Sequence, residues 1–411
     1  MTVVTAGHLS TCPRMLKAAD ALAAAGHEVR VVSTRFVDWA TSADEDVRRT
    51  RTWRWSVVDY ARASSPARAL LTGARRRTAA ALAGLAGPRR APWPAVTRAF
   101  GRVHPELVRA VAGEPADLVY GGTTGALAAA AEGAAALGAR LVLDLEDWHT
   151  GESSAPDAAL QHGLADRVQA RVLSRAAALT TSSDAIGAAY RSTYGVSPIT
   201  IHNVFALPAM APAIGVSDAP LRLYWFGQTI GPGRGLEDAV DALALADIRG
   251  VLHVRGRADA GFARALERRA AAAGVALTLL PPVPPDQVVP SAQGYDIGLA
   301  AEAAAVENRA LCISNKLLTF PLAGLAVVCA DTVGAAPVIR DLGAAALVYA
   351  PGDVESLARG LAAWHRDREG LAAARRASWG AAVRRWHWEH PLERDRLVAA
   401  VDEVLGRPCE S

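Results

Sequence analysis

Strand-like apolar runs alternate with helix-like amphipathic runs along this chain, and the alternation is laid out twice in series. Residues 2–6 read as a strand and lead through Gly7, His8, Leu9 and Ser10 to a helix with Pro13 near its first position, where the missing N–H costs nothing. Met15, Ala19 and Leu22 recur at helical spacing, Gly26 stands at the helix end, and residues 28–32 form the next strand. The same grammar returns at 117–120, 126–137, 140–145, 176–182 and 199–203. A Pro-, Ala- and Gly-rich stretch at 207–220 reads as a linker. A second series then starts at 221–227, with a helix from about Leu236 and strands at 251–254, 277–280, 296–300, 326–329 and 345–348. Alternation of this kind dictates parallel, doubly wound sheets.

At 411 residues the chain exceeds one compact core and suits two α/β domains. The boundaries expected are 1–206 for an amino-terminal domain, 207–220 for the linker, 221–375 for a carboxy-terminal domain and 376–411 for a tryptophan-rich helical tail packing back toward the amino-terminal domain. Residues 48–109 interrupt the pattern as an arginine-dense excursion, with Arg75, Arg76, Arg77, Arg89 and Arg90 beside Leu71, Leu82, Leu85, Trp93 and Phe100. It reads either as a solvated helical excursion or as a basic apron that meets an anionic acceptor or lipid head groups.

A net charge of +3 argues against nucleic acid as a partner. No run approaches the roughly 18–20 apolar residues of a membrane span, and no basic region precedes an apolar one at the start, so no secretory signal is expected. Cys12, Cys312, Cys329 and Cys409 are scattered, without a metal or disulfide spacing, which fits a reducing cytoplasm. Lysine occurs only at positions 17 and 316.

In open parallel sheets ligands bind beyond the carboxyl ends of strands. Three segments there carry chemistry. FGQTIGPGRGLEDA (226–239) places Gly227, Gly233 and Gly235 between a strand and a helix whose Leu236, Val240 and Leu243 form one apolar stripe. Its glycines let amides approach an anion and Arg234 adds a planar cation, a combination able to hold a diphosphate. The spacing is not the GxGxxG of a dinucleotide fold. The second segment is SNKLLTF (314–320), with Asn315, Lys316 and Thr319, followed by AGLAVV. The third, LVLDLEDWHTGE (141–152), is an apolar strand ending in Asp144, Glu146, Asp147 and His149. Were the strand to continue, Glu146 and Asp147 would point to opposite sides.

Together these segments resemble the retaining GT-B glycosyltransferases of family 4 (glycosyl transferases group 1). That family opens its second domain with a strand ending in Gly-Arg, then a loop and Lys-Gly, both basic side chains contacting the donor diphosphate. At the same six-residue offset this chain has Gln228 and Arg234. Arg255 and Gly256 match the family's strand-plus-glycine, and Pro281, Pro282 and Val283 match the segment that meets the nucleobase. The 314–328 stretch is similar to NKLxEYxxAGxPVV, with Thr319 where the family's ribose-binding Glu stands; Glu302 or Glu307 is the expected substitute. Glu146 and Asp147 occupy the His and Glu positions of the family's D-x-H-E, near the transferred sugar. Gly7, His8 and Arg14 resemble a variant of the family's first loop, at the acceptor side of the cleft with His149, while His202 and Asn203 resemble its hinge.

The resemblance implies two Rossmann-like domains facing a central cleft. It implies transfer of a sugar from a nucleoside-diphosphate sugar to an acceptor hydroxyl with retention, without metal or cofactor. Arg234 and Lys316 would support the departing diphosphate, and Glu146 or Asp147 would act on the sugar or acceptor. Gly227, Gln228, Gly233, Gly235, Arg255, Gly256, Val283, Glu302, Asn315 and Thr319 would line the donor site. The acceptor class stays open among small molecule, glycan and lipid-linked acceptor, with peripheral membrane contact through 48–109. Three alternatives remain at this stage: a sugar-nucleotide epimerase, a catalytically silent nucleotide-sugar-binding protein of the same fold, and a membrane-surface scaffold.

Overall fold

The computed structural model describes residues 1–152, 155, 157–302 and 304–406, so Cys409 and the last residues of the tail lie outside it. The chain divides into two compact units. The first comprises Met1–His202, Val306–Asn308 and the segment from Pro391; the second comprises Asn203–Ala305 and Arg309–His390. Each is built on its own all-parallel sheet.

In the first unit the strands are β1 (Thr2–Thr5), β2 (Arg30–Arg35), β3 (Arg54–Asp59), β4 (Leu118–Gly122), β5 (Arg140–Leu145), β6 (Ala178–Thr181) and β7 (Ile199–Thr200). Their order is β3-β2-β1-β4-β5-β6-β7, so winding reverses between β1 and β4. Val3, Val4, Val31, Val32, Val119 and Leu143 are fully buried at its centre, which is why these strands read as continuous apolar runs. The 48–109 excursion is not wholly helical: it contains β3, an edge strand paired to β2 along Arg30–Arg35. Only Val58 of β3 is buried, so β3 lacked the apolar signal that marks the inner strands. Helices Pro66–Ala86, Trp93–Phe100 and His104–Ala112 supply the rest.

The second unit holds β8 (Leu221–Ile230), β9 (Gly250–Ala258), β10 (Ala276–Leu280), β11 (Ile297–Ala300), β12 (Ala326–Ala330) and β13 (Ala346–Tyr349). The order β10-β9-β8-β11-β12-β13 reverses between β8 and β11. Leu236, Val240 and Leu243 of helix Leu236–Leu245 are each fully buried against this sheet, a burial that contributes roughly 1.5–3 kcal/mol per side chain. Strand β8 runs past Phe226 through a bulge and resumes pairing at Thr229 with Arg257. A side chain at Gly256, whose φ is +153°, would overlap the Gly227 carbonyl, so the two glycines let β8 and β9 stay paired beyond the bulge.

The tail is two helices, Arg368–Arg384 and Arg394–Leu405, separated around Pro391. The first belongs to the second unit and the other to the first, where His27 Nε2 lies 3.0 Å from Asp402 Oδ1.

Candidate functional site

Beyond the ends of β8 and β11, at the reversal point of the second sheet, Arg234, Glu302, Arg309, Ser314, Lys316 and Thr332 line a recess of about 140 Å³. Gly235, at φ +71°, delivers Arg234 into it; a Cβ there would stand 2.7 Å from the Ala301 Cβ. Lys316 is the second residue of helix Asn315–Leu322, whose N-cap is Ser314, so the partial positive charge of the helix start adds to its own. The Lys316 ammonium sits 2.5 Å from Glu302 Oε1 and 4.8 Å from the centre of the Trp225 ring. Burial opposes ionisation of Glu302, but Lys316, its hydrogen bond and Arg234 outweigh it and hold the carboxyl below its ordinary range. Burial first and Arg309 second lower the Arg234 pKa. Three cations against one carboxylate leave the recess with a net charge of +2. Its size suits phosphate groups and falls short of the roughly 300 Å³ or more that a whole drug-sized ligand occupies.

Several residues expected at the donor side are placed elsewhere. Gln228 is exposed on the β8 bulge and does not line the recess. Thr319 is fully buried, and its hydroxyl donates to the Asn315 carbonyl at 2.8 Å, so it has no free path to a ribose. Asn315 Oδ1 accepts from Asn203 Nδ2 at 3.1 Å. Glu307 belongs to the first unit, where it accepts from Trp148 Nε1 at 3.0 Å. Arg255 donates to the Tyr224 hydroxyl at 2.8 Å and to the Pro281 carbonyl at 2.7 Å. It thereby fixes the approach to half-buried Val283.

In the first unit a larger recess of about 280 Å³ opens at the β1/β4 reversal, lined by Gly7, Tyr60, Phe100, Arg102, Thr123 and Thr124 among others. Thr123 holds φ +72°, a conformation that costs a non-glycine residue of order 1–3 kcal/mol. Its hydroxyl accepts from the Ala6 amide at 3.1 Å, which fixes it there. Two residues expected beside this loop are engaged in the interior. His8 is fully buried, with Nε2 accepting from the Phe36 and Val37 amides at 3.0 and 3.1 Å and Nδ1 2.6 Å from Asp44. Two incoming N–H groups at Nε2 require the proton on Nδ1. Arg14 is buried in an ion pair with Asp144 at 2.6 Å and also donates to the Ile201 and Thr181 carbonyls. Both side chains are internal ties of the first unit.

Strand β5 ends at Leu145, so Glu146 and Asp147 lie past it, each in its own surroundings. Burial pushes the Glu146 carboxyl up to about 7, Asp147 adding to the shift while Arg14 and Lys17 oppose it. Lys17, one of the chain's two lysines, is lowered to about 7 by burial and then by Arg14. Asp147 accepts from Asn308 Nδ2 at 2.9 Å; burial and Glu152 still raise its pKa. His149 is buried with Nδ1 against Glu152 Oε1, and the Thr124 hydroxyl donates to the same carboxylate at 3.1 Å. Burial lowers the imidazole's pKa, but Glu152 wins and the net shift is upward. His149 Nε2 is buried without a hydrogen-bond partner among the described residues. Among the described residues no group of three or more His, Cys, Asp or Glu side chains could hold a metal ion.

The family model for the glycosyl transferase 4-like domain matches residues 13–204. Residues 13–204 thus carry a glycosyl transferase 4-like domain. The whole chain is similar over 98% of both chains to Anabaena HepE solved in complex with UDP-glucose, with TM-score 0.68 and 16% identity. It is also similar to sucrose-phosphate synthase from Thermosynechococcus elongatus, with TM-score 0.63, 12% identity and 98% of both chains covered. The lipopolysaccharide outer core galactosyltransferase WaaB matches over 98% of both chains with TM-score 0.60 and 12% identity. At these identities the likeness is one of fold. No curated protein matches the chain.

Two features of the two units were not singled out by the sequence. Arg309, the third cation of the donor-side recess, lies in the ENRAL run between Glu302 and the Ser314 cap. Its one visible signal was position, a lone arginine between two segments that each end beside the same recess. Glu152, which orients His149, closes the LVLDLEDWHTGE run only three residues on.

Proposed function

We propose that this chain transfers a sugar from a nucleoside-diphosphate sugar to an acceptor hydroxyl, with retention and without a metal ion. The observation that carries the reading is the convergence of Arg234, Arg309 and Lys316 on one recess. Transfer breaks the bond between the anomeric carbon and the diphosphate and forms one to the acceptor oxygen, so negative charge grows on the departing phosphate. Fixed cations at that oxygen, in surroundings poor in water, act where charge develops. The two guanidinium groups and the ammonium supply charge that a divalent ion supplies in other transferases. Glu302 Oε1, 2.5 Å from Lys316 Nζ, aims the ammonium. HepE, whose fold this chain shares, binds UDP-glucose, which supports a nucleotide-sugar donor. Retention rests on the family.

On the same reading the Arg255–Pro281 contact presents residues 281–283 to the nucleobase. Glu146 or Asp147 acts on the sugar or the acceptor. The acceptor, whether small molecule, glycan or lipid-linked, enters the recess lined by Gly7, Tyr60 and Thr124. Cys12 and Cys329 are buried thiols, in keeping with a reducing cytoplasm. The test is release of nucleoside diphosphate from a panel of UDP-, GDP-, dTDP- and ADP-sugars, with and without extracted glycans and lipids as acceptors. Acceptor-dependent release from one donor, abolished in Arg234→Ala/Lys316→Ala, supports the reading. Release that ignores the double substitution, or none from any donor, overturns it.

A further inference from the structure

Between Tyr60 and Pro105 the sequence holds nine arginines and no aspartate, glutamate or lysine. The fold sets part of that bias beside an exposed apolar helix face. Helix Pro66–Ala86 buries Ala69, Thr72, Ala79 and Ala83 and shows its other side to solvent. There Leu71 is 63% exposed, Leu82 46% and Leu85 89%. With exposed Ala74, Thr78 and Ala81 they form a continuous stripe at three-and-four spacing. Arg77 flanks the stripe, and Arg89 and Arg90 follow the end of the helix; all three are exposed. By contrast Arg75 is neutralised by Glu106 at 2.5 Å.

A helix that turns leucines outward beside arginines unpaired among the described residues has the make-up of a segment lying in a bilayer interface. Charge decides the occupant. A second copy of the chain would bring another set of arginines against this set, and like charges repel. A nucleic acid would match the arginines but leave the leucines in water. An anionic bilayer satisfies both, with acyl chains for the stripe and head groups for the flank. Arg102 braces the helix from behind through the Ala69 carbonyl at 2.7 Å and the Thr72 hydroxyl at 3.1 Å, so its stripe is held outward by the body of the first unit.

We propose that helix Pro66–Ala86 seats this protein on the surface of anionic lipid bilayers, without crossing them. No helix among the described residues is long and apolar enough to cross a membrane. The claim stands apart from the sugar-transfer reading.

Co-sedimentation of the full chain with vesicles tests it, using equal parts phosphatidylglycerol and phosphatidylcholine against phosphatidylcholine alone. Binding to the anionic vesicles is expected, weakening as salt rises. Leu71→Ser/Leu82→Ser/Leu85→Ser and Arg77→Gln/Arg89→Gln/Arg90→Gln should each reduce partition at least about tenfold, since each basic residue near an anionic surface contributes about fivefold. Both sets are at exposed positions, so thermal unfolding should stay at the parental temperature and certify the fold. No binding to anionic vesicles, or binding by either variant equal to that of the parental chain, would overturn the proposal. So would loss of self-association in the leucine variant with vesicle binding intact, which would assign the stripe to a second copy.

Discussion

Lys316 Nζ and Glu302 Oε1 lie 2.5 Å apart, with the ammonium also over the Trp225 ring. Both side chains are nearly withdrawn from solvent, so each makes the other's charge tolerable. Lys316→Ala strands a buried carboxylate and should destabilise the second unit by about 3–5 kcal/mol. Lys316→Met with Glu302→Gln removes both charges and should recover most of that loss while leaving turnover abolished. Denaturant unfolding and donor cleavage, measured on the same samples, separate the two effects. The pair also sets an acid limit. The Glu302 carboxyl is held below its ordinary range, so its stabilising contribution is complete above the unfolded value of about 4.3. That contribution is lost as pH falls below about 4.3 through the folded value.

Arg309 predicts a phenotype at a position outside the family motifs. Arg309→Ala should lower turnover by roughly 10²-fold, in the range seen when one charge-stabilising donor is removed, and leave the unfolding temperature unchanged. Arg309→Lys should recover part of it, as a point charge without the planar fork. Steady-state kinetics on the three proteins check this.

The alternation of strands and helices made both sheets legible; their strand order and reversal points come from pairing between segments distant in sequence. Arg234 and Lys316 were legible because each is fixed by local chemistry, one by a glycine turn and one by a capped helix start. What stayed hidden depends on partners distant in sequence. Arg14 looked like a loop cation, but its carboxylate is 130 residues away. His8 is completed by Asp44 and two amides of the Phe36 turn. Thr319 sits at a motif position, yet the burial of its helix face gives its hydroxyl to the Asn315 carbonyl. Edge strand β3 was masked by Arg54, Ser56 and Asp59, polar residues that an outer strand tolerates and a central one does not.

His149 carries a pH signature. Its folded pKa is raised above the ordinary 6.5 by Glu152, so the stabilisation is complete below about 6.5 and declines as pH rises through the folded value. Glu152→Gln should bring the imidazole pKa down and flatten stability across neutral pH. Histidine titration by NMR checks it, and an unchanged pKa in the variant contradicts it.

Glu146 gives a second, separable signature. Its carboxyl, pushed up to about 7, binds its proton more tightly folded than unfolded. Stability should therefore fall as pH rises from about 4.3 to about 7. Glu146→Gln removes that slope and should raise the unfolding temperature at pH 8. Thermal unfolding across pH 4–8 reads both effects.

The most direct measurement is calorimetric titration of UDP, GDP, dTDP and ADP into the parental chain and into Arg234→Ala/Arg309→Ala, which leaves the Lys316–Glu302 pair intact. One nucleoside diphosphate should bind the parental chain, and the double variant should bind it at least about 100-fold more weakly, as loss of two charge-assisted contacts requires. Binding that is unchanged in the variant, or absent for all four in the parental chain, would contradict a cationic diphosphate site in the second unit.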